Sequence, residues 1–149
     1  MIAGSAAAIR IIRAQQKSGK TVVFTNGCFD ILHRGHLKVL REAKTLGDFL
    51  VVALNSDDSV KRLKGPSRPL NKLSDREEVL DAVRFVDLVT SFDEDTPWEL
   101  LSKLKPDILV KGGDYQPDQV VGRELVKKVV IVPFEEGYST TDLINRTKK

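Results

Sequence analysis

The feature that most constrains the fold is a run of six consecutive apolar residues at positions 49–54, Phe-Leu-Val-Val-Ala-Leu. A strand with one face in water alternates apolar and polar side chains. A strand that is apolar at every position is covered on both faces, as in parallel sheets that carry helices above and below. The run therefore predicts a buried strand in the parallel sheet of an α/β protein.

The rest of the chain alternates between strand and helix patterns. Further strands are predicted at 21–25, 86–90, 107–110 and 129–132, and helices at 2–16, 35–46, 73–85, 97–104, 123–127 and from 141 to the end. The helix at 73–85 is predicted to begin with a capping box of Ser74 and Glu77. Residues 55–72 are polar and basic, and we expect them to form a mobile loop over the site. The alternation indicates one domain, residues 1–149, with a Rossmann-like three-layer α/β sandwich: a five-stranded parallel sheet with helices on both faces.

Composition excludes several classes of protein. The 24 basic and 21 acidic side chains give a net charge of +3, which is too small and too evenly scattered for a nucleic-acid binder. A single cysteine excludes an internal disulfide and indicates a reducing compartment. No apolar run approaches the roughly 20 residues of a membrane span. We therefore expect a cytoplasmic protein that has neither nucleic acid nor a membrane as a partner.

The two histidines of the chain, His33 and His36, lie three residues apart with Gly35 between them. They follow the predicted strand at 21–25 and open the predicted helix at 35–46. Free backbone N–H groups, the positive end of a helix dipole and two imidazoles at one point favour a phosphate site. A zinc site would need more ligands than this region offers, and a role in capping or packing is the other alternative. We interpret the pair as hydrogen-bond donors to phosphate oxygens on which charge builds up.

Three other predicted strand ends carry Gly, Lys or hydroxyl residues, which commonly contact phosphates. These segments are 55–64, 111–115 and 135–141. Since the carboxyl ends of parallel strands meet at one edge of the sheet, we expect one ligand site there. Lys64 is the favoured phosphate contact of its basic segment, although a solvated charge run is an equally good interpretation. The hydroxyls of 139–141 are predicted to bind the β- or γ-phosphate, with a plain N-cap as the alternative.

The sequence leaves the roles of two further charged residues open. Asp30 could cap its turn, anchor a loop or contact a metal-bound phosphate. Arg76 could pair with Asp75 or Glu78 on the surface of its helix, or it could reach the phosphates. Cys28 is next to the predicted site, but no base is placed to activate it.

The segment from Gly27 to His36, Gly-Cys-Phe-Asp-Ile-Leu-His-Arg-Gly-His, closely resembles a signature of the cytidylyltransferase-like nucleotidyltransferase superfamily, in which G-x-F-D precedes H-x-G-H. Residues 136–141, Glu-Gly-Tyr-Ser-Thr-Thr, are similar to its second signature, and the resemblance runs from about 21 to 146. Within the superfamily, segments 55–57, 61–65, 67–69 and 109–115 look most like the heptose 1-phosphate adenylyltransferase branch. The stretch 122–129 looks a few residues shorter than that family's usual connection.

The resemblance implies transfer of AMP from ATP to a heptose 1-phosphate, giving ADP-heptose and pyrophosphate for the lipopolysaccharide core. A cytidylyltransferase acting on glycerol 3-phosphate or another phosphoalcohol is the alternative. Mg²⁺ is expected to be bound mainly through substrate phosphates, with few protein ligands and no metal-binding residue identified. The resemblance also implies a homodimer and a stand-alone enzyme served by a separate sugar kinase. His33, His36 and Lys64 are expected to be catalytic. The expected nucleotide-binding residues are Thr25, Asn26, Gly27, Cys28, Phe29, Asp30, Gly35, Arg76, Lys111, Gly112, Asp114, Phe134, Glu136, Gly137, Tyr138, Ser139, Thr140 and Thr141.

Overall fold

The computed structural model describes residues 1–134 and 144–145. Within this part of the chain, five strands form one parallel sheet in the order β3-β2-β1-β4-β5. They are β1 (Val22–Gly27), β2 (Phe49–Asn55), β3 (Leu88–Phe92), β4 (Ile108–Gly112) and β5 (Lys128–Val132). The predicted five-stranded parallel sheet is confirmed.

Helices cover both faces of this sheet. The described helices are α1 (Ser5–Lys17), α2 (Arg34–Thr45), α3 (Asp57–Lys64), α4 (Leu73–Asp81) and α5 (Trp98–Leu104), with 3₁₀ turns at Pro117–Gln119 and Arg123–Leu125. Within β2, Val51 packs into the core beneath α1 and α5, and its neighbour Val52 packs into the core beneath α2 and α4. Because successive side chains of a strand point to opposite faces, β2 is buried on both, as its apolar run predicts.

The prediction of a mobile loop over 55–72 is wrong for its first half, which forms helix α3. The hydroxyl of Ser56 caps this helix by accepting a hydrogen bond from the Ser59 N–H at 3.2 Å. Acidic residues occupy its first turn and basic residues its last, which suits the helix dipole, and Val60 is buried beneath it. The segment is polar because only two residues of this short surface helix, Ser59 and Val60, are buried.

The start of α4 also differs from the prediction. Lys72 is the N-cap and contributes no side-chain hydrogen bond, so the predicted capping box of Ser74 and Glu77 is wrong. The free N–H of Leu73 instead donates to Asp57 Oδ1 at 2.9 Å. A carboxylate from the neighbouring helix α3 therefore replaces the local cap.

The connection between β4 and β5 contains 3₁₀ turns instead of the helix predicted at 123–127. Gly122 has a φ of +91°, and a Cβ at this position would lie 2.4 Å from the Cδ1 of Leu101. Only glycine fits so close to α5 with this backbone. The stretch that looked short in sequence is thus a compact segment held against α5.

The order of the strands in the sheet determines where a ligand crevice forms. The chain leaves β1 towards β2 on one side and later returns to the other side of β1 as β4. The loops at the carboxyl ends of β1 and β4 therefore diverge and leave a crevice, where open α/β sheets bind ligands. In the described part of the chain, every helix is too short or too polar to cross a bilayer.

Candidate active site

A cavity of about 540 Å³ lies in the crevice at the carboxyl ends of the strands. Its lining comes from the segments that follow all five strands. The sequence predicted site residues in four of these segments and none in the segment after β3. A volume of this order suits a nucleotide-sized ligand.

Most of the predicted site residues meet at this cavity. Those on its lining are Thr25, Asn26, Gly27, Cys28, Phe29, Asp30, His33, His36, Lys64, Lys111, Gly112 and Phe134. Gly35, Arg76 and Asp114 are not part of the lining. The predicted residues Glu136, Gly137, Tyr138, Ser139, Thr140 and Thr141 lie outside the described residues, so their place in the site stays a prediction.

The two histidines form a reciprocal cap at the start of α2. His33 Nδ1 accepts from the N–H of Gly35 at 3.1 Å, and His36 Nδ1 accepts from the N–H of His33 at 3.2 Å. The rings stack with centroids 3.8 Å apart. Because each Nδ1 acts as an acceptor, the proton of each neutral ring lies on Nε2. Each histidine therefore keeps one N–H donor that the helix start does not use.

Both imidazoles are neutral at pH 7. Burial lowers the pKa of His33. Burial and then the neighbouring His33 lower the pKa of His36 to about 3. Since both Nδ1 atoms accept backbone N–H groups, protonation there would break the cap. The pair is suited to donating hydrogen bonds and not to exchanging protons near neutral pH.

The turn before α2 has an unusual backbone. Phe29 has a φ of +47°, in the left-handed region that side chains other than glycine rarely adopt. Its ring lies 5.0 Å from that of His36, and a Cβ on Gly27 would lie 3.0 Å from this ring. The glycine therefore makes room for an aromatic ring that packs against one of the histidines.

Two lysines approach the cavity from different strand ends. Lys64 ends α3, and Lys111 is near the end of β4 with its ammonium 5.2 Å from the centroid of the Tyr115 ring. Burial lowers the pKa of Lys111; Cys28 opposes this shift and Lys64 adds to it. In the part of the chain that the structure describes, no carboxylate forms an ion pair with either lysine. An anionic ligand would relieve the mutual repulsion of these ammonium groups.

Asp30 anchors a loop. Its carboxylate is fully buried and accepts from the backbone N–H groups of Leu70 and Asn71 and from Arg68 Nε at 2.8 Å. Burial alone would raise the pKa of Asp30, but these hydrogen bonds hold it below its ordinary value. Of the three roles that the sequence left open, the anchor is the one observed. With its carboxylate oxygens occupied, Asp30 is a poor candidate for a metal ligand.

Arg76 is buried beneath the cavity, whereas an ion pair on the helix surface or a phosphate contact would leave its guanidinium exposed. Its side chain is 1% exposed. Nε donates to the Asn71 carbonyl at 2.9 Å, and Nη1 donates to the carbonyls of Cys28 at 2.9 Å and Asn55 at 2.8 Å. Nη2 pairs with Asp57 Oδ1 at 2.8 Å. The guanidinium thus joins the ends of β1 and β2 to the loop before α4.

These contacts change the interpretation of Arg76. Neither Asp75 nor Glu78 pairs with it, and four of its five N–H donors are used by the protein itself. We therefore assign it a positioning role beneath the cavity in place of the expected nucleotide contact.

Cys28 lines the cavity as a neutral thiol. Burial raises its pKa although Lys64, Arg76 and Arg68 oppose the shift. A thiol in this state is a weak nucleophile, so the sequence-based view that Cys28 is not activated agrees with the structure.

Several lining residues were missed by the sequence analysis. Asp95, Thr96 and Pro97 follow β3, and Gln119 belongs to the 3₁₀ turn after β4. The rule that ligands bind at strand ends could have found the first three, because Asp95 and Thr96 lie between a predicted strand and a predicted helix and Pro97 begins that helix. Gln119 carried no such signal, since its position depends on the packing of the connection against α5.

The described residues do not supply a metal centre. No group of three or more His, Cys, Asp or Glu side chains in this part of the chain is arranged to hold an ion. A magnesium ion would therefore be held mainly by the phosphates of the substrate, and this part of the site stays a prediction.

The chain matches the model of the "Cytidylyltransferase-like" family over residues 24–146. It is 60% identical over 132 residues to "Bifunctional protein HldE" of Campylobacter fetus. The match covers 89% of this chain and 29% of that protein. The protein with the same description in Syntrophotalea carbinolica is 54% identical over 140 residues, or 91% of this chain and 29% of that protein. The chain thus spans less than a third of the length of these curated relatives.

Two solved structures share the fold. The lipopolysaccharide core biosynthesis protein of Thermoplasma volcanium has a TM-score of 0.65 and 30% sequence identity. The match covers 81% of this chain and 100% of the Thermoplasma chain. The pantoate-beta-alanine ligase of Francisella tularensis, solved in complex with beta-gamma ATP and beta-alanine, has a TM-score of 0.64 and 17% sequence identity. The match covers 99% of this chain and 77% of the ligase. The second likeness concerns the fold alone. With the family model matched over most of its length and the two histidines at the start of α2, this chain belongs to the cytidylyltransferase-like family of nucleotidyltransferases.

Proposed function

We propose that this protein transfers AMP from ATP to a heptose 1-phosphate and releases pyrophosphate. The observation that carries the proposal is the pair of neutral imidazoles at a cavity that Lys64 and Lys111 also line. Each imidazole has Nδ1 bound to the backbone, and no acceptor among the described residues takes its Nε2–H. This arrangement supplies fixed donors and positive charge for a chain of phosphates.

In the proposed reaction an oxygen of the sugar phosphate attacks the α-phosphorus of ATP. The new P–O bond forms as the bond from the α-phosphorus to the α,β-bridging oxygen breaks, and both electrons of that bond leave with pyrophosphate. The attacking oxygen is already ionised at pH 7, so no general base is needed. This agrees with histidines that are neutral and tied through Nδ1.

The protein would act by orientation and by stabilising charge. His33 and His36 would donate from Nε2 to the phosphate oxygens that gain charge in the transition state. Lys64 and Lys111 would neutralise the phosphates from two sides. Arg76 and Asp30 would hold the strand ends and the loop that carry these groups. Magnesium would enter as MgATP, bound by the phosphates of the substrate.

The assignment of a heptose 1-phosphate as the acceptor is supported by similarity to other proteins. The segments after β2 and β4 resemble the heptose 1-phosphate adenylyltransferases, and a relative of known structure is described as a lipopolysaccharide core biosynthesis protein. A sugar kinase that supplies the acceptor, a homodimeric assembly and a cytoplasmic location belong to the same proposal.

A panel of substrates tests the function. Purified protein is mixed with MgATP, MgCTP, MgGTP or MgUTP and with heptose 1-phosphate, hexose 1-phosphates or glycerol 3-phosphate, and pyrophosphate release is measured. We expect turnover with MgATP and heptose 1-phosphate, with product confirmed as ADP-heptose by mass spectrometry.

Two outcomes would contradict the proposal. Preference for MgCTP and glycerol 3-phosphate would make the protein a cytidylyltransferase of phosphoalcohols. Tight binding of ATP without pyrophosphate release for any acceptor would make it a nucleotide-binding module.

A further inference from the structure

The strand order divides the cavity into two halves. The nucleotide half, at the ends of β1, β4 and β5, contains the histidines, Lys111 and the exposed rings of Tyr115 and Phe134. The acceptor half, at the ends of β2 and β3, contains Lys64 and residues 95–97. Lys64 thus lies on the opposite side of the β1 strand end from Lys111.

Residues 119–121 follow β4, and the 3₁₀ turn that ends at Gln119 contacts β5. We assign them to the acceptor half because the segment that follows folds onto α5. Gly122 touches Leu101 of α5 so closely that a Cβ would clash at 2.4 Å. Trp98, the first residue of α5, donates from Nε1 to Glu124 at 2.6 Å. The segment is therefore held beside residues 95–97, which immediately precede α5.

We propose that Asp95, Thr96 and Gln119, the polar wall of the acceptor half, bind the hydroxyl groups of the sugar phosphate acceptor and determine which sugar is accepted. This inference deepens the proposed function and rests on it. It assigns the body of the sugar to a part of the cavity that the sequence analysis did not identify.

The polar wall presents complementary hydrogen-bonding groups. Asp95 Oδ1 accepts from Arg62 Nε at 2.8 Å, and Arg62 also donates to the Asp93 carbonyl, so the carboxylate is held while Oδ2 faces no other described donor. Gln119 Oε1 accepts from the Gln116 N–H at 3.0 Å, which leaves the Nε2 amide as a donor. A sugar hydroxyl both donates and accepts, so an acceptor oxygen and a donor amide together suit a polyol.

Charge and apolar surface agree with an anionic sugar. Arg62 offsets the charge of Asp95, so the wall does not repel a phosphate monoester, and Lys64 lies in the same half to attract one. Leu63, Pro97 and Val121 supply apolar surface for the C–H faces of a sugar ring. The described lining of the acceptor half contains no aromatic ring, whereas that of the nucleotide half contains Phe29, Tyr115 and Phe134. This difference suits a base in the nucleotide half and a sugar in the acceptor half.

Matched variants test the inference. Asp95→Asn keeps an oxygen for Arg62 but replaces the free acceptor with a donor, and Gln119→Glu keeps the acceptor for Gln116 but replaces the donor with an acceptor. Each is expected to raise the KM for heptose 1-phosphate at least about tenfold while the KM for MgATP stays within about twofold. The control is Asp93→Asn, since Asp93 accepts from the Ser56 hydroxyl and does not line the cavity.

Sugar selectivity provides a second readout that a general loss of structure would not produce. The ratio of kcat/KM for heptose 1-phosphate to that for mannose 1-phosphate, which has one carbon fewer, should fall at least about fivefold in the two wall variants and not in the control. Thermal unfolding of each variant verifies folding, and either variant alone carries the test if the other does not fold.

The results separate the inference from the function beneath it. The function fails if the unmodified protein makes no nucleotide sugar from any sugar 1-phosphate, and this is measured first. If the unmodified protein is active, the inference is overturned by wall variants with an unchanged acceptor KM and selectivity, or by an equal rise in the KM for MgATP.

Discussion

At the scale of single residues, His33 and His36 each serve two functions through two different ring nitrogens. Nδ1 completes the start of α2, and Nε2 is left to donate into the cavity. Asparagine can imitate the position of Nδ1, and glutamine can imitate that of Nε2. These substitutions can therefore separate the structural role from the chemical one.

His36→Asn should lower kcat by about 100- to 1000-fold, because it removes a donor aimed at developing charge while keeping an acceptor for the His33 N–H. Steady-state pyrophosphate release at saturating substrates measures this. His36→Ala should lose turnover to a similar extent and stability as well, and His36→Gln should keep more turnover than either. Turnover of the Asn variant within a few-fold of the unmodified protein would remove His36 from the proposed mechanism.

Acid should destabilise the protein through the same histidine. Its pKa is near 6.5 in the unfolded chain and about 3 in the fold, so below pH 6.5 the unfolded state binds the proton first. The free energy of unfolding should therefore fall by about 1.4 kcal/mol per pH unit from this group between pH 6.5 and 3, and should not depend on it above pH 7. His33 acts in the same direction.

Urea denaturation at pH 7 and pH 5 measures this effect, with His36→Asn as the reference. The unmodified protein should lose about 2 kcal/mol more than the variant over this interval. Equal losses in both proteins would show that His36 is not held neutral by the fold.

At the scale of elements, buried charges fix the strand ends. Arg76 joins the ends of β1 and β2 to α3 and to the loop before α4, and Asp30 holds the loop that contains Arg68. Neither partnership is local in sequence. Residues of the right type were visible at both positions, but their partners depend on which strand ends meet.

Arg76→Ala should lower the free energy of unfolding by about 3 kcal/mol, because it leaves buried carbonyls and Asp57 without their donor. Arg76→Lys should recover only part of this, since an ammonium cannot reproduce the planar fork. Urea denaturation measures both, and Arg10→Ala, on the exposed face of α1, is the control expected within about 0.5 kcal/mol of the unmodified protein. A loss from Arg76→Ala no larger than that of the control would contradict the positioning role.

The same scale shows how far sequence reasoning reaches. All five strands were predicted within two residues at each end, because short apolar runs bounded by polar or glycine residues mark them. Helix α3 was missed because its single buried row is too short to show a period. The cap of α4 was misassigned because Asp57, from another helix, replaces the expected Ser74. Local sequence patterns identify helices and strands that local residues determine. They fail where a contact from a distant part of the chain determines the structure.

At the scale of the whole molecule, the order of the strands determines which loops lie next to one another at the cavity. With β1 between β2 and β4, segments far apart in sequence converge on one cavity, as the alternation of strands and helices predicted. The residues nearest the histidines were found because a motif marks them. The wall of Asp95 and Gln119 was not found, because it depends on a connection folding back onto α5.

The hydroxyl residues at 139–141 are predicted to complete the triphosphate site. MgATP should then stabilise the unmodified protein, by about 2.7 kcal/mol at a hundred times its dissociation constant. Replacing Ser139, Thr140 and Thr141 together by Ala should remove much of this gain for ATP but little of the smaller gain given by AMP. Thermal unfolding with each nucleotide measures both, and Ser102→Ala is the control. Equal losses for ATP and AMP would contradict a contact with the β- or γ-phosphate.

The burial of Arg76 has a consequence for how the protein responds to its medium. Mobile ions weaken an electrostatic contact only where solvent can bring them near, and this guanidinium is enclosed. The exposed pair of Arg62 and Asp95 has no such protection. Concentrated potassium chloride should thus disturb the edge of the pocket around Asp95 while the framework beneath it keeps its shape.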